Sequence, residues 1–275
     1  MLTFSDPRPI MQGGVTDLRA NWTPDGQWLV FERLQDSVRR LHRVRPDGSE
    51  LERLALEDPA GSNSTGRPAF LTPDDFVFVS DRLGRPALFR CQRGQVGVLH
   101  VGSQACYGPA LGVTGAWPLL YFQQDGTRAS HIQALEEDGH VEQLTTQPGV
   151  QDQPWPLPDG KTFVFHAQGD DGNLVYVQAL VPGAEPVCLS DVDEGTSYVT
   201  PFPSPDGQWI AFTSAHRGRE QVWIMRPDGS ARQQITHGEP HSFPAWSPDG
   251  QRLVYTQGRP TAEAPSGHLV TVGVS

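Results

Sequence analysis

His237 and His241 flank Glu239, and these donor types hold a divalent metal when at least three of them aim at one point. Pro240 sets them in a loop, where no helical i, i+4 face makes them converge. A complete set therefore needs a further donor, for which His216 is the nearest candidate. Arg19 and Arg67 offer a different chemistry, the forked N–H recognition of a carboxylate or an acidic segment. Each suits equally a structural pair with a nearby acid, such as Asp17 for Arg19. The chain carries no G-x-S-x-G nucleophile elbow. The acidic groups Asp170-Asp171 and Asp191, Asp193 and Glu194 lie in loops and read as solvated surface. No residue is assigned a catalytic role.

Cys91, Cys106 and Cys188 are dispersed and form no CxxC pair, so neither a disulfide framework nor a zinc motif is present. Cys91 and Cys188 fall on strands and read as small core residues, whereas Cys106 falls in a loop and reads as the reactive thiol. Asn21-Trp22-Thr23 and Asn63-Ser64-Thr65 match the glycosylation sequon. Without export these are chance matches.

These residues are positioned by a repeat. A Pro-Asp-Gly type turn recurs with its aspartate at Asp25, Asp74, Asp159, Asp206 and Asp249, spaced by 49, 85, 47 and 43 residues. The 85-residue gap holds two units, one of them degenerate, in which Thr114-Gly115 replaces the turn and Trp117 to Phe122 supplies the following strand. Proline presets φ while aspartate and glycine accept the bends that follow. Six units of four short strands, each about 40 to 45 residues, are what propeller blades look like in sequence. The second strand of each unit is almost continuously apolar, as in Trp28 to Phe31, Phe76 to Val79 and Trp209 to Phe212. A strand buried on both faces between stacked blades has this pattern. The fourth strands turn polar, as expected on an outer rim.

The segments FPAWSPDGQRLVY and SPDGQWIAFTSAHRGREQVWIMRPDGSARQQIT resemble the repeat of the TolB-type β-propeller family. The likeness extends over nearly the whole chain, strongest in units five and six and weakest in unit three. It implies an all-β, six-bladed propeller of four-stranded antiparallel blades. It also implies binding of a protein or peptide partner rather than catalysis. Ser80 to Gly84 (SDRLG) and Ser214 to Gly218 (SAHRG) match the family's S-x-R-x-G-like loop, whose Ser and Arg tie blade to blade. Related propellers precede the catalytic domain of prolyl-oligopeptidase-type peptidases, and a propeller without that domain is expected here. Some TolB-like propellers resemble oligogalacturonate lyases, which keeps a second reading open: a metal-dependent lyase or hydrolase in the channel, acting on an acidic sugar. A third is a plain scaffold or oligomerisation module.

One domain over residues 1–275 is expected, because a propeller grows by adding blades. Residues 8–12 align with the fourth strand of other units, while the last unit runs out after its third strand. The amino-terminal strand should thus complete blade six and close the ring. The 29 glycines and 25 prolines sit at repeated turns, so they do not imply disorder. The net charge of −11 repels phosphate backbones and anionic lipid, which makes nucleic acid and membrane surface poor partners. A monomer is expected. No stretch reads as a signal peptide or a membrane span. The expectation is a cytoplasmic protein, or a periplasmic one if a leader has been removed.

The Pro-Asp-Gly turns join strands one to two and three to four, so they share one face of the ring. The variable loops share the other face, where function is expected. The residues leading into the six innermost strands should converge there on the mouth of the central channel. The candidate partner-binding residues are Arg19, Arg67, Tyr107, Asp152, Gln153, Thr200, His216, His241, Ser242 and Phe243. No cofactor is assigned, and an unidentified cation in the channel is left open.

Overall fold

The structure, a computed structural model, describes residues 2–11, 15–56, 64–112, 115–127, 129–170, 172–190, 195–258 and 267–275. Blade one consists of strands Thr16–Trp22, Leu29–Gln35, Val38–Val44 and Glu52–Arg53, and blade two of Thr65–Thr72, Asp75–Ser80, Ala87–Gln92 and Gln95–His100. Blade three comprises Cys106–Ala110, Leu119–Gln124, Ser130–Leu135 and Val141–Gln143, and blade four Gln151–Pro156, Thr162–Gln168, Asn173–Ala179 and Val187–Cys188. Blade five holds Thr196–Pro203, Ile210–His216, Arg219–Met225 and Gln233–Gln234. Blade six takes His241–Trp246, Arg252–Gln257 and His268–Gly273 from the end of the chain and Arg8–Pro9 from its beginning. Every pairing within a sheet is antiparallel, and no helix occurs among the described residues. This is the six-bladed propeller expected from the repeat.

The Asp side chain shapes the Pro-Asp-Gly turns of blades one, four, five and six. Asp25 Oδ1 accepts from Thr23 Oγ1 at 2.6 Å and from Gln27 N at 3.0 Å, and Asp206 Oδ1 takes the same two bonds from Ser204 and Gln208. A side chain that satisfies the amide two residues on fixes the bend before the next strand starts. In blade three, Gly115 takes φ +66° and its amide donates to Gly112 O, while Thr114 lies outside the described residues.

The apolar second strands feed six cores, each lying between two blades. Leu29 and Phe31 pack with Ala245, Val254 and Leu269 of blade six, whereas Val30 between them packs with Phe70, Phe76 and Phe78 of blade two. Alternate side chains thus enter different cores, so no polar face is needed. Burying one such Leu or Phe contributes about 1.5–3 kcal/mol. The same arrangement recurs between blades two and three, three and four, four and five, and five and six.

Ring closure follows the sequence expectation. Arg8 pairs with Thr271 and Pro9 with Val270, Ile10 N donates to Leu269 O at 2.9 Å, and Phe4 bridges Val274. Paired residues end at Pro9, short of the expected Gln12, which lies outside the described residues. The Ile10 side chain is buried in the core shared by blades six and one. A Cβ on Gly48 would meet Ile10 O at 2.3 Å, so the blade-one turn can lie over this closing strand only as glycine.

The thiols depart from the sequence reading. Cys106 opens the first strand of blade three and is fully buried, and burial pushes its thiol up; Cys91 is likewise buried with its thiol pushed up. Cys188, on a two-residue outer strand, is exposed. The short rim strand has no neighbour beyond it, which a strand pattern alone does not reveal. Iodoacetamide is therefore expected to alkylate Cys188 in the native protein and to spare Cys91 and Cys106, as peptide mass mapping would read.

Candidate functional site

In every blade the first strand slips register at one equivalent place (blade two slips a second time, between Phe70 and Thr72), and the residue at that equivalent place takes positive φ. These residues are Arg19 (52°), Arg67 (53°), Gly108 (56°), Gln153 (54°), Thr200 (52°) and Phe243 (56°). A left-handed conformation costs a non-glycine residue roughly 1–2 kcal/mol, and five of the six accept it. The bulge re-aims the side chain. Five of the six are followed by proline, at Pro68, Pro109, Pro154, Pro201 and Pro244. Proline has no N–H, so a broken ladder leaves no orphan donor there.

The six residues border a single cavity of about 70 Å³ on the channel axis. The Trp155 and Phe202 rings, with centroids 4.1 Å apart, border it from within and also border a second cavity on the side of the Pro-Asp-Gly turns, where Pro24, Pro205 and Pro248 lie. The convergence expected from six-fold geometry is present on the variable-loop face.

The two arginines differ in their partners. Arg19 donates to Glu32 Oε2 at 2.9 Å and lies over the Phe243 ring at 4.5 Å. Glu32 is buried, and its other oxygen accepts from Arg67 N at 3.1 Å. Arg67's guanidinium has no hydrogen-bond or carboxylate partner among the described residues; its nearest aromatic is Phe122, 5.9 Å from the ring centroid. Desolvation, then the like charge of Arg19, bring it down to about 10 against the opposing pull of Glu32 and Asp152. It remains a cation at neutral pH. A Cβ on Gly108 would stand 3.3 Å from Arg67 Nη1 and 2.7 Å from Phe122, so the glycine leaves the space into which this arginine extends.

Asp17 is not the partner of Arg19. It holds Arg33 through two bonds of 2.7 and 2.9 Å, because the bulge turns Arg19 away from the face that Asp17 occupies. Asp152 lies 2.5 Å from His166 Nε2, and His166 Nδ1 is buried without a partner. Tyr107 stacks on Phe122 and borders, with Arg67, Arg39, Glu32 and Asp81, a groove of about 250 Å³ beside the central cavity.

His216, His241 and Ser242 do not reach the cavity wall. Side chains alternate along a strand, so Ser242, one residue before the bulge, turns away and is buried. His241 is buried edge-on against Tyr255, which lowers its pKa through desolvation. His216 is exposed at the far end of its hairpin and bonds Thr196 Oγ1 at 2.7 Å. Among the described residues no three His, Cys, Asp or Glu side chains gather around one point, the His237, Glu239, His241 set with His216 included. Arg82 ties blade two to blade one through Leu56 O, as the loop resemblance implied, whereas its counterpart Arg217 is exposed. Asn63, Asp171, Asp191, Asp193 and Glu194 lie outside the described residues.

Glu32 and His166 escaped the sequence reading. Aligning the second strands exposes them: the residue closing the apolar run is Glu32, Val79, Phe122, His166, Thr213 and Thr256 in turn. Each opposes the residue just before a bulge. Two charged or titratable types at an otherwise apolar or neutral position were the available signal.

An uncharacterized protein of Agrobacterium fabrum is 34% identical over 101 residues, which cover 36% of this chain and 33% of that protein, so the match spans a third of the relative's length. TolB from Acinetobacter baumannii superposes with a TM-score of 0.69 at 19% identity, over 95% of this chain and 63% of that one. A gluconolactonase from Xanthomonas campestris gives 0.70 at 17% identity, covering 99% and 91%. An oligogalacturonate lyase in complex with manganese gives 0.63 at 15%, covering 100% and 96%. At these identities the superpositions speak for the fold, which TolB, a gluconolactonase and an oligogalacturonate lyase share. The model of the TolB beta propeller domain matches residues 121–264, more than half of the chain. With that match added to the turn repeat, the six blades and the strand-closed ring, the chain belongs to the TolB beta propeller family.

Proposed function

We propose that this propeller is a non-catalytic binding module that captures a protein or peptide segment at the variable-loop mouth of its channel, through an acidic group on that segment. One observation carries the reading: Arg67 extends into the channel as a cation with no carboxylate partner among the described residues, while Arg19 beside it is neutralised by Glu32. Arg67 is half-buried; partial burial of a cation without a carboxylate partner costs stability, and a ligand carboxylate removes that cost. The groove bordered by Tyr107 and Arg39 extends the surface beyond the cavity.

The test is fluorescence polarisation with labelled peptides that carry one Asp or Glu among apolar residues. Charge-assisted bonds contribute about 1.5–3 kcal/mol, so Arg67→Gln should weaken capture by about 10- to 100-fold with the melting temperature kept. Unchanged affinity would remove Arg67 from the site and this reading with it.

The enzyme reading keeps one specific support, the Asp152–His166 pair at 2.5 Å near the cationic wall. Release of unsaturated products from oligogalacturonate in the presence of manganese would favour that reading over binding.

A further inference from the structure

Resting on the binding reading, we infer that the acidic group this site takes is the C-terminal carboxylate of a peptide whose last residue is apolar, entering the channel end-on. The cavity beside Arg67 is walled by Pro68, Pro109, Pro154 and Pro244, with Trp155 and Phe202 at its inner end. Proline offers no N–H, so these four positions give no donor to the carbonyls of a peptide running past them; Arg19, Asn21, Gln153 and Thr200 also line the cavity. The Trp155–Phe202 pair, with Asn21, borders both this cavity and the one on the opposite face, so a chain that enters here meets that ring pair end-on. An Asp or Glu within a chain would bring its carboxylate on bare methylenes, with no apolar side chain on the same carbon to meet the proline and aromatic walls.

A C-terminal residue fits each feature. Its carboxylate and its side chain hang on one carbon, so the first can meet Arg67 while the second occupies the proline and aromatic walls. The preceding residues pass outward along the groove between Tyr107, Arg39 and Asp81, which shares Arg67 with the cavity. That groove is where polar backbone finds partners. A small free carboxylic acid shares the anchoring chemistry but leaves the groove empty.

Calorimetric titration of the full chain would use four probes: acetyl-Gly-Gly-Ala-Leu with a free carboxyl terminus, its C-terminal amide, acetyl-Gly-Glu-Ala-Leu amide, and isovalerate. The expected result is a free acid bound at least tenfold more tightly than its amide and than isovalerate, with the acid-over-amide preference lost in Arg67→Gln. Equal binding of acid and amide, a preference that survives Arg67→Gln, or isovalerate binding as tightly as the peptide acid would each overturn the inference. Binding of the internal-Glu peptide alone, dependent on Arg67, would overturn it while leaving the broader binding reading in place. If no probe binds in an Arg67-dependent way, both fall.

Discussion

Replacing Arg19 with methionine should lower the stability of the ring by about 3 kcal/mol, whereas the same change at Arg67 should leave it unchanged or raise it. Glu32 has 2% of its side chain exposed; its Oε2 has Arg19 Nη1 at 2.9 Å and the exposed Arg39 Nε at 3.7 Å, while Oε1 accepts from Arg67 N, so Arg19 is its one close side-chain cation. Removing one member of a buried pair leaves the other charge uncompensated, and that cost exceeds the net worth of the intact pair. The Arg19 side chain retains 21% exposure, which holds the effect to the lower end of the range. Arg67 is the opposite case. Its folded-state pKa, lowered to about 10, lies below the ordinary arginine range, so the folded state disfavours its cation at every pH below that value. A neutral side chain abolishes the penalty, and methionine keeps the contact with apolar walls. Thermal unfolding at neutral pH would read the difference as a fall of roughly 6–12 °C for Arg19→Met and no fall for Arg67→Met. Equal losses at both positions would make Arg67 a structural residue and remove the basis for the proposed function. A residue whose loss stabilises the fold and abolishes binding is held there by function.

Deleting residues 2–10 should do more damage than any single substitution. The deletion strips the outer strand from blade six, removes Ile10 from the core it shares with blade one, and takes away Leu2 and Phe4, which pack against the core between blades five and six. At about 1.5–3 kcal/mol for each apolar side chain, the loss approaches the whole stability of an ordinary domain, about 5–15 kcal/mol. It also uncovers the backbone edge of His268–Gly273 as a template for pairing with other chains. The expected outcome is a melting temperature lowered by more than about 10 °C, with self-association on gel filtration. Ile10→Asp, which keeps the strand but places a charge in the core, should show the thermal loss without the exposed edge. A truncated chain that melts and elutes like the intact one would mean that the ring holds without its closing strand.

The bulges show where legibility stopped. The register of the repeat placed Arg19, Arg67, Gly108, Gln153, Thr200 and Phe243 at one structural position, and they do border one cavity. The same reading put His241 and Ser242 beside them, and these turn away, because one residue of slip at positive φ decides which member of the approach points inward. Nothing in the residue types at the bulge marks that conformation, since arginine, glutamine, threonine and phenylalanine all adopt it there. Proline after the bulge hinted at a broken ladder without saying which neighbour would be re-aimed.

Local chemistry and repetition thus lie in the sequence itself: the aspartate-held turns, the runs buried on both faces, the six units, and the amino-terminal strand that completes the last of them. Each depends on neighbours within one unit or on a spacing that recurs, so a single chain reveals them. The partnership of Arg19 with Glu32 rather than Asp17, the absence of a carboxylate partner for Arg67 among the described residues, the room left by Gly108 and the ring pair shared by the two cavities were decided only in three dimensions. These are contacts across a bulge or between blades, set by where six copies of one strand meet on an axis, and no periodicity along the chain records which side chains face each other there.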